Sequence, residues 1–202
     1  MKVIEQLLAN AAISPIAGVD EAGRGACAGP LVIASVVLND PFAPELAVVR
    51  DSKEIAENKR DAVFELIHQV AASVSVVIVP ASEVDSRGVH AANLDGMRRA
   101  VQGLTVEPAY VLTDGYAIEG LGLPNLAVWK GDQVVVSISA ASVIAKVTRD
   151  RIMREMDCEF PQYGFAGHKG YITAAHTKAL NEHGPCAQHR RSFANVAALI
   201  HK

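Results

Sequence analysis

Four acidic residues follow short apolar runs in this chain, and their carboxylates are the side chains that hold hard cations. They are Asp20 and Glu21 after the first run, Asp114 after a later one and Asp132 after the next. In open α/β sheets, ligand sites lie at the carboxyl ends of strands. Acids that converge there repel one another unless cations lie between them, and oxygen ligands without nearby Cys or His suit Mg²⁺ or Mn²⁺. The pattern predicts a pair of divalent ions that would activate a water and stabilise the leaving oxygen in phosphodiester cleavage.

Each acid taken alone is also typical of a helix cap or a turn. Asp114-Gly115 is a favourable turn dipeptide. Adjacent residues of a regular strand point to opposite faces, so Asp20 and Glu21 share one site only if the chain twists or bulges there.

A glycine-framed arginine, Gly23-Arg24-Gly25, follows the first two acids. A Walker loop needs Lys-Ser/Thr after its last glycine, and the dinucleotide fingerprint needs a helix where residues 30–38 predict a strand. Neither pattern fits. Glycine permits close backbone approach, so the amides of Gly23 and Gly25 could face a ligand directly. The alternative is a hairpin turn with solvated charges.

Several polar residues are candidates for phosphate contacts, which position a duplex without reading its sequence. Each alone is more typical of a surface or capping residue. Ser142 lies among alanines on a predicted helix, where close packing is the ordinary explanation, and Lys146 could instead form a salt bridge with a nearby acid. The candidates are Ser52, Lys53, Ser142, Lys146, His168, Lys169 and Arg190.

Taken together, these motifs resemble those of ribonuclease HII, in the family's order and over nearly the whole chain. The matching segments are Asp20-Glu21-Ala22-Gly23-Arg24-Gly25, Asp51-Ser52-Lys53, Asp114-Gly115, Lys130-Gly131-Asp132, Ala140-Ala141-Ser142 with Ala145-Lys146, and His168-Lys169-Gly170-Tyr171. One departure is the apolar run at 133–136, where relatives often carry a lysine.

The resemblance implies catalytic and metal-binding roles for Asp20, Glu21, Asp114 and Asp132. It also implies that the loop from Gly23 to Gly25 senses the 2′-hydroxyl, the group that distinguishes RNA from DNA. Tyr171 would stack on the sugar of the neighbouring nucleotide at an RNA-to-DNA junction, although its position also suits a core or lid aromatic.

The implied function is that of an endoribonuclease with Mn²⁺ or Mg²⁺ as cofactor. It would hydrolyse the phosphodiester 5′ to a ribonucleotide in RNA–DNA hybrids and in duplex DNA with embedded ribonucleotides, leaving 3′-hydroxyl and 5′-phosphate ends. Two alternatives remain open: a related nuclease of this fold with a different substrate, and a hybrid-binding module without catalysis. Intact carboxylates disfavour the latter, because burying unpaired acids in a binding surface is costly.

Apolar periodicity predicts the elements that position these residues. Strands over 16–21 and 31–38 form an antiparallel pair, and further strands over 74–79, 110–112 and 126–129 alternate with helices. Ser52 and Ser82 are candidate helix N-caps. The prediction is α/β: an RNase H-like mixed sheet with flanking helices and a small C-terminal helical lobe. We expect one domain, with a catalytic core over about 14–157 and the lobe over about 158–202.

Composition sets the remaining bounds. The net charge of −3 conceals an asymmetry, since residues 1–145 carry 10 Lys and Arg against 17 Asp and Glu, whereas residues 146–202 carry 9 against 5. A basic segment beside a metal site is compatible with a polyanionic partner. No apolar run is long enough to span a membrane. Three widely spaced cysteines and no secretory leader predict a cytoplasmic protein, and nothing demands more than a monomer.

Overall fold

The computed structural model describes residues 3–49 and 55–200 and contains a five-stranded mixed sheet. The strand order is β3-β2-β1-β4-β5. The first two strands pair antiparallel, as do β2 and β3, whereas β1–β4 and β4–β5 are parallel. The predicted mixed α/β sheet and its opening hairpin are therefore confirmed. The strands are β1 (Ile16–Ala22), β2 (Leu31–Leu38), β3 (Ala71–Val79), β4 (Tyr110–Asp114) and β5 (Asn125–Val128).

Helices flank this sheet, and those after β5 make up most of the carboxyl-terminal part of the chain. Those of the described residues are α1 (Val3–Asn10), α2 (Glu57–Val70), α3 (Ala81–Arg87), α4 (Val89–Gln102), α5 (Gly131–Val134), α6 (Val136–Glu159), α7 (Phe165–His168), α8 (Ala174–His183) and α9 (Ala194–Ile200). Short 3-10 turns cover Pro44–Val48 and Pro161–Tyr163. No helix within the described ranges is long and apolar enough to cross a membrane.

Two of the predicted helix starts need correction. Pro80, not Ser82, is the N-cap of α3, and the Asp85 carboxylate instead accepts hydrogen bonds from the backbone of Arg191 and Ser192. Helix α2 begins after Ala56, while Ser52 lies outside the described residues. The predicted break at Gly88 is confirmed, because that residue separates α3 from α4 with φ of 79°.

Strand β2 forms the centre of the core because both of its faces are covered. All eight of its residues are buried. Val32, Ala34 and Val36 pack in one cluster with residues of α2 and α6, whereas Leu31 and Ile33 pack in another with residues of α3 and α4. The alternation follows from the two-residue period of a strand, and it produces a three-layer α/β/α arrangement.

Helix α6 lies unusually close to β1, and a glycine makes this possible. A Cβ built on Gly18 would lie 2.1 Å from the backbone carbon of Ser137 and 2.3 Å from the nitrogen of Ile138. No side chain fits in that space. Because Gly18 and Asp20 are two residues apart on the same face of β1, the helix that contacts Gly18 also passes beside Asp20.

Candidate metal centre

Three aspartates from three separate elements converge at the carboxyl end of the parallel strands. Asp20 from β1, Asp114 from the end of β4 and Asp132 from α5 each offer a carboxylate oxygen, and these oxygens all lie within 4.8 Å of one another. Asp20 and Asp132 are buried and Asp114 is half-buried. The sequence placed Asp132 at the end of a strand, which is wrong. It lies on a short helical turn that follows Lys130, whose φ is 53°.

Backbone contacts join the Asp114 and Asp132 segments. The Gly131 amide donates to the Asp114 carboxylate at 2.8 Å, and the Ser139 hydroxyl donates to the backbone carbonyl of Asp132 at 2.6 Å. The first contact ties the turn to the end of β4, and the second ties it to α6. The separation of the two carboxylates is therefore set by the backbone of three packed elements.

The environment of Asp20 opposes its ionisation. Burial raises the pKa of this carboxyl well above its ordinary value, and the nearby charges of Glu21 and Asp114 raise it further. Hydrogen bonds from the Glu21 amide, at 2.7 Å, and from the Ser142 side chain favour the charged form and act in the opposite direction. A cation between the carboxylates would remove the repulsion. The donor set consists of hard oxygens alone, so these residues fit a divalent ion such as Mg²⁺ or Mn²⁺.

Glu21 contributes to the same region in a different way. Strand β1 pairs with β2 in regular register from Ala17 to Ala22, so the bulge considered for the Asp20–Glu21 pair does not occur there. Glu21 is half-buried and lines a cleft that also contains Asp114 and Asp132. It is not one of the three residues whose oxygens meet within 4.8 Å.

An open cleft lies beside the acids. Its volume is about 450 Å³. Its lining combines carboxylates with aromatic and basic side chains: Glu21, Asp114, Gly115, Tyr116, Trp129, Lys130, Asp132 and Gln133. Tyr116 and Trp129 were not among the residues singled out from the sequence, where no signal distinguishes them from core aromatics.

The glycine–arginine loop lies next to this cleft. Gly23 has φ of 87°, and a Cβ on it would lie 1.9 Å from Nε of Arg149, so both its conformation and its packing require glycine. The Arg24 guanidinium lies over the ring of Tyr116, 4.6 Å from the ring centre. Gly25 is exposed, with open space where a Cβ would lie.

Two buried arginines hydrogen-bond to the backbone of this loop and of the residues that follow it, and no pattern in the sequence predicts their burial. Arg149 donates to the carbonyls of Pro30 and Ala28 at 2.9 and 3.1 Å. Arg190 donates to the carbonyls of Gly29 and Arg24 at 3.1 and 3.0 Å. Burial lowers the pKa of Arg149, and it lowers that of Arg190 to about 10. Both side chains have no exposed surface, so the expected phosphate contact by Arg190 is wrong.

The other residues predicted to contact substrate differ in their relation to the acidic centre. The Ser142 side chain hydrogen-bonds to Asp20. Lys146 forms a 2.7 Å ion pair with Asp150, which is the alternative left open for it. Ser52 and Lys53 lie outside the described residues.

The His168–Tyr171 segment forms a compact turn. The His168 ring accepts from the Gly170 amide at 3.2 Å and lies 2.8 Å from the Tyr163 carbonyl. Lys169 contacts the Ala166 carbonyl and lies 3.6 Å from Glu57. Tyr171 is exposed, and the Arg149 guanidinium lies 5.4 Å from its ring centre. The substrate contacts assigned to this segment stay predictions.

The family model described as Ribonuclease HII matches residues 17–196. A ribonuclease HII of Acidothermus cellulolyticus is 57% identical over 95% of this chain and 62% of its own length, so the chain spans less than two thirds of that relative. One from a Parafrankia strain is 56% identical over 96% of this chain and 81% of its own. The crystal structure of the ribonuclease H2 from Pyrococcus horikoshii superposes with a TM-score of 0.78 at 25% identity, covering 91% of this chain and 96% of that one.

Proposed function

We propose, from the premise that this chain belongs to the ribonuclease HII family, that it is an endoribonuclease acting on RNA joined to or paired with DNA. It hydrolyses the phosphodiester 5′ to a ribonucleotide in RNA–DNA hybrids and in duplex DNA with embedded single ribonucleotides, leaving 3′-hydroxyl and 5′-phosphate ends. The single observation that carries the proposal is the meeting of Asp20, Asp114 and Asp132 within 4.8 Å beside an open cleft.

The acids would hold the divalent ions that the family requires. Asp20, Asp114 and Asp132 would provide ligand oxygens, and Glu21 would supply a fourth carboxylate from the wall of the cleft. When bound, Mg²⁺ or Mn²⁺ supplies Lewis-acid stabilisation of the charge that develops on the phosphate and a source of activated water. The protein contributes a fixed carboxylate arrangement, since the Gly131 amide and the Ser139 hydroxyl position the two later aspartates.

The loop from Gly23 to Gly25 recognises the ribose. Its amides and the Arg24 side chain contact the sugar and phosphate of the cleaved nucleotide, and a 2′-hydroxyl provides a hydrogen-bonding group that deoxyribose lacks. Support for a rigid loop comes from the buried guanidinium of Arg149, which excludes any side chain at position 23. Tyr171, exposed beside Arg149, packs on the sugar of the neighbouring nucleotide. The polar residues Ser52, Lys53, Ser142, Lys146, His168 and Lys169 contact the backbone of the duplex.

The proposed setting follows from the substrate and the composition. We place the protein in the cytoplasm as a monomer that removes ribonucleotides from DNA. Its three cysteines are free thiols, which suits a reducing compartment. Light scattering in solution tests the monomer.

A cleavage assay tests the activity. Duplex DNA with one internal ribonucleotide, an RNA–DNA hybrid and an all-DNA duplex are incubated with Mg²⁺ or Mn²⁺, and the ends are mapped. Cutting 5′ to the ribonucleotide is expected in the first two. Asp20→Asn and Asp132→Asn should abolish it without unfolding the protein. Asp61→Asn, at an exposed aspartate of α2, is the matched control and should cut normally. Tight binding without cutting by the unmodified protein would favour a hybrid-binding module instead.

A further inference from the structure

Trp129 is exposed to a degree that is unusual for its side chain. It is the single tryptophan of the chain, and 82% of its surface is accessible, more than for any other large apolar side chain in the described ranges. Indole rings are usually well covered in folded proteins, and they are enriched where a protein meets a partner. The exposure of Trp129 therefore indicates a role in binding.

The backbone on both sides of Trp129 is fixed to the strand that carries Asp114. Val128 pairs with Asp114 in the parallel β4–β5 register, and its carbonyl accepts from the Gly115 amide at 3.1 Å. On the other side, the Gly131 amide donates to the Asp114 carboxylate. Trp129 lies between these two anchor points, so its main chain is held at a set distance from the acidic centre.

The residue after Trp129 gives the chain an uncommon turn at this point. Lys130 has φ of 53°, a left-handed conformation that non-glycine residues seldom adopt. The turn carries the chain from β5 into α5, so that Trp129 lies at the rim of the cleft while Asp132 is buried within it. Tyr116, whose ring lies against the Arg24 guanidinium, also lines the cleft. The acidic centre is thus bordered by two aromatic side chains, one supported by a cation and one open to solvent.

We propose that Trp129 is a substrate-binding residue whose indole packs against the flat face of a nucleotide in the strand that occupies the cleft. The inference rests on the proposed function, because it takes the occupant of the cleft to be a nucleic-acid strand. Stacking on an aromatic ring tolerates any sequence, since every base presents a π face. A contact of this kind would add affinity close to the cleaved phosphodiester without demanding a particular base, as an enzyme directed to ribonucleotides in any context requires.

Binding measurements on four variants test this contact. The dissociation constant for a duplex with one ribonucleotide is measured in an Asp132→Asn background, which separates binding from cutting. Trp129→Leu should weaken binding about 5- to 150-fold, the range for loss of one stacked aromatic, and Trp129→Phe should weaken it less. Ile78→Ala is the matched control, since Ile78 is 50% exposed on the opposite edge strand β3. In the active protein, Trp129→Leu should raise KM with a smaller effect on kcat.

Intrinsic fluorescence gives a second readout that depends on this side chain alone. Since the chain has one tryptophan, any change in indole emission on binding arises at position 129. Stacking on a base should quench the emission when the duplex is added, and this quenching would support the proposal. A Trp129→Leu dissociation constant within twofold of that of the parent would overturn the proposal.

The outcome is separable from that of the proposed activity. If the protein cuts at ribonucleotides while Trp129→Leu binds and cuts like the parent, the inference alone fails. If the protein binds the duplex through Trp129 but does not cut, the proposed activity fails and the contact stands. If it binds no nucleic acid, both fail. Thermal melting of Trp129→Leu should match that of the parent, because an exposed side chain makes few contacts to lose.

Discussion

The Nε2 atoms of His176 and His189 lie 3.1 Å apart in the buried part of the C-terminal segment. Their other ring nitrogens decide which one carries the shared proton. Nδ1 of His176 lies 2.9 Å from the Tyr171 carbonyl, which can only accept, so His176 donates there and accepts at Nε2. Nδ1 of His189 accepts from the Cys186 amide at 3.0 Å, so His189 donates at Nε2. This directional chain requires both rings to be neutral, and it ends on the carbonyl of Tyr171.

Acid should therefore destabilise the fold through these rings. Burial, followed by the proximity of His176, lowers the pKa of His189 to about 4, and burial also lowers that of His176. The unfolded chain, with an ordinary histidine pKa of about 6.5, binds more protons than the folded one between these values, so stability falls as the pH falls through this window. For His189 the loss is on the order of 2 to 3 kcal/mol by pH 4.5. Urea unfolding at pH 7.5 and 4.5 measures it.

A substitution isolates the contribution of this pair from that of other titrating groups. His189→Gln should reduce stability at pH 7.5 but show a flatter dependence between pH 7.5 and 4.5. His68→Gln, at an exposed position of α2, is the control and should retain the parent's slope. An unchanged slope in His189→Gln would contradict the assignment of neutral, coupled rings.

Strands β2 and β4 could be predicted from the sequence because each contains a continuous apolar run. The runs at 31–38 and 110–112 have no polar alternation, and the structure buries both faces of β2. The convergence of Asp20 and Asp114 followed from a related argument, since Asp20 lies near the carboxyl end of β1, Asp114 ends β4, and these two strands pair in parallel. Asp132 was assigned to the correct region but to the wrong element, because a four-residue helical turn has no periodicity of its own.

The buried charged residues that hold the elements around the site could not be predicted in the same way. Arginine is usually a surface residue, so the sequence does not indicate that Arg149 and Arg190 are buried. Only the tertiary structure shows that they donate hydrogen bonds to backbone carbonyls of the 24–30 segment. Burial of Glu5 is equally hidden, because its partners are amides 131 and 132 residues away. Sequence spacing carries little information about contacts of this kind, which depend on the packing of distant elements.

Glu5 is predicted to stabilise the helix that carries Ser142. Its buried carboxylate accepts hydrogen bonds from the amides of Val136 and Ser137, both at 3.0 Å, at the first turn of α6. Those amides have no partner within the helix, and a negative charge there is also favoured by the helix dipole. Glu5→Ala should lower the free energy of unfolding by about 2 to 4 kcal/mol, since it leaves two buried donors unsatisfied.

The matched control for Glu5 is an exposed glutamate. Glu65→Ala on α2, with a side chain that is 64% accessible, should change the free energy of unfolding by less than about 0.5 kcal/mol. Glu5→Gln should fall between the two, because its amide oxygen can replace one acceptor but its NH₂ group cannot replace the other. Equal stability of Glu5→Ala and Glu65→Ala in urea would show that the cap contributes nothing.

Tyr116 should hold Arg24 in place through its ring. The guanidinium lies 4.6 Å from the ring centre, an arrangement that contributes about 0.5 to 1 kcal/mol at a partly exposed site. In a double-mutant cycle on kcat/KM, Arg24→Ala and Tyr116→Leu should be non-additive by that amount. Tyr116→Phe, which keeps the ring, should behave like the parent. Strict additivity would mean that the two side chains act independently on the substrate.

Asp20 should destabilise the metal-free protein and stabilise the metal-bound one. Its pKa is raised by burial and by the charges of Glu21 and Asp114, so the folded state retains the proton longer than the unfolded state. The stabilisation that this raised pKa provides is complete below pH 3.8, the pKa of the unfolded chain. It is lost as the pH rises through the higher pKa of Asp20 in the folded protein. At pH 7 without metal, Asp20→Asn should therefore melt at a higher temperature than the parent.

In the presence of divalent ions, the parent should melt at a higher temperature than Asp20→Asn. An ion that binds only the folded state adds about 2.7 kcal/mol at a concentration 100 times its dissociation constant, and Asp20→Asn removes a carboxylate that would hold it. Thermal melting with and without Mn²⁺ should show a larger gain for the parent than for Asp20→Asn, while Asp61→Asn follows the parent. Equal gains for all three would place the ion elsewhere. A lower melting temperature for metal-free Asp20→Asn would instead mean that the lost hydrogen bonds with the Glu21 amide and Ser142 outweigh the relief of charge repulsion.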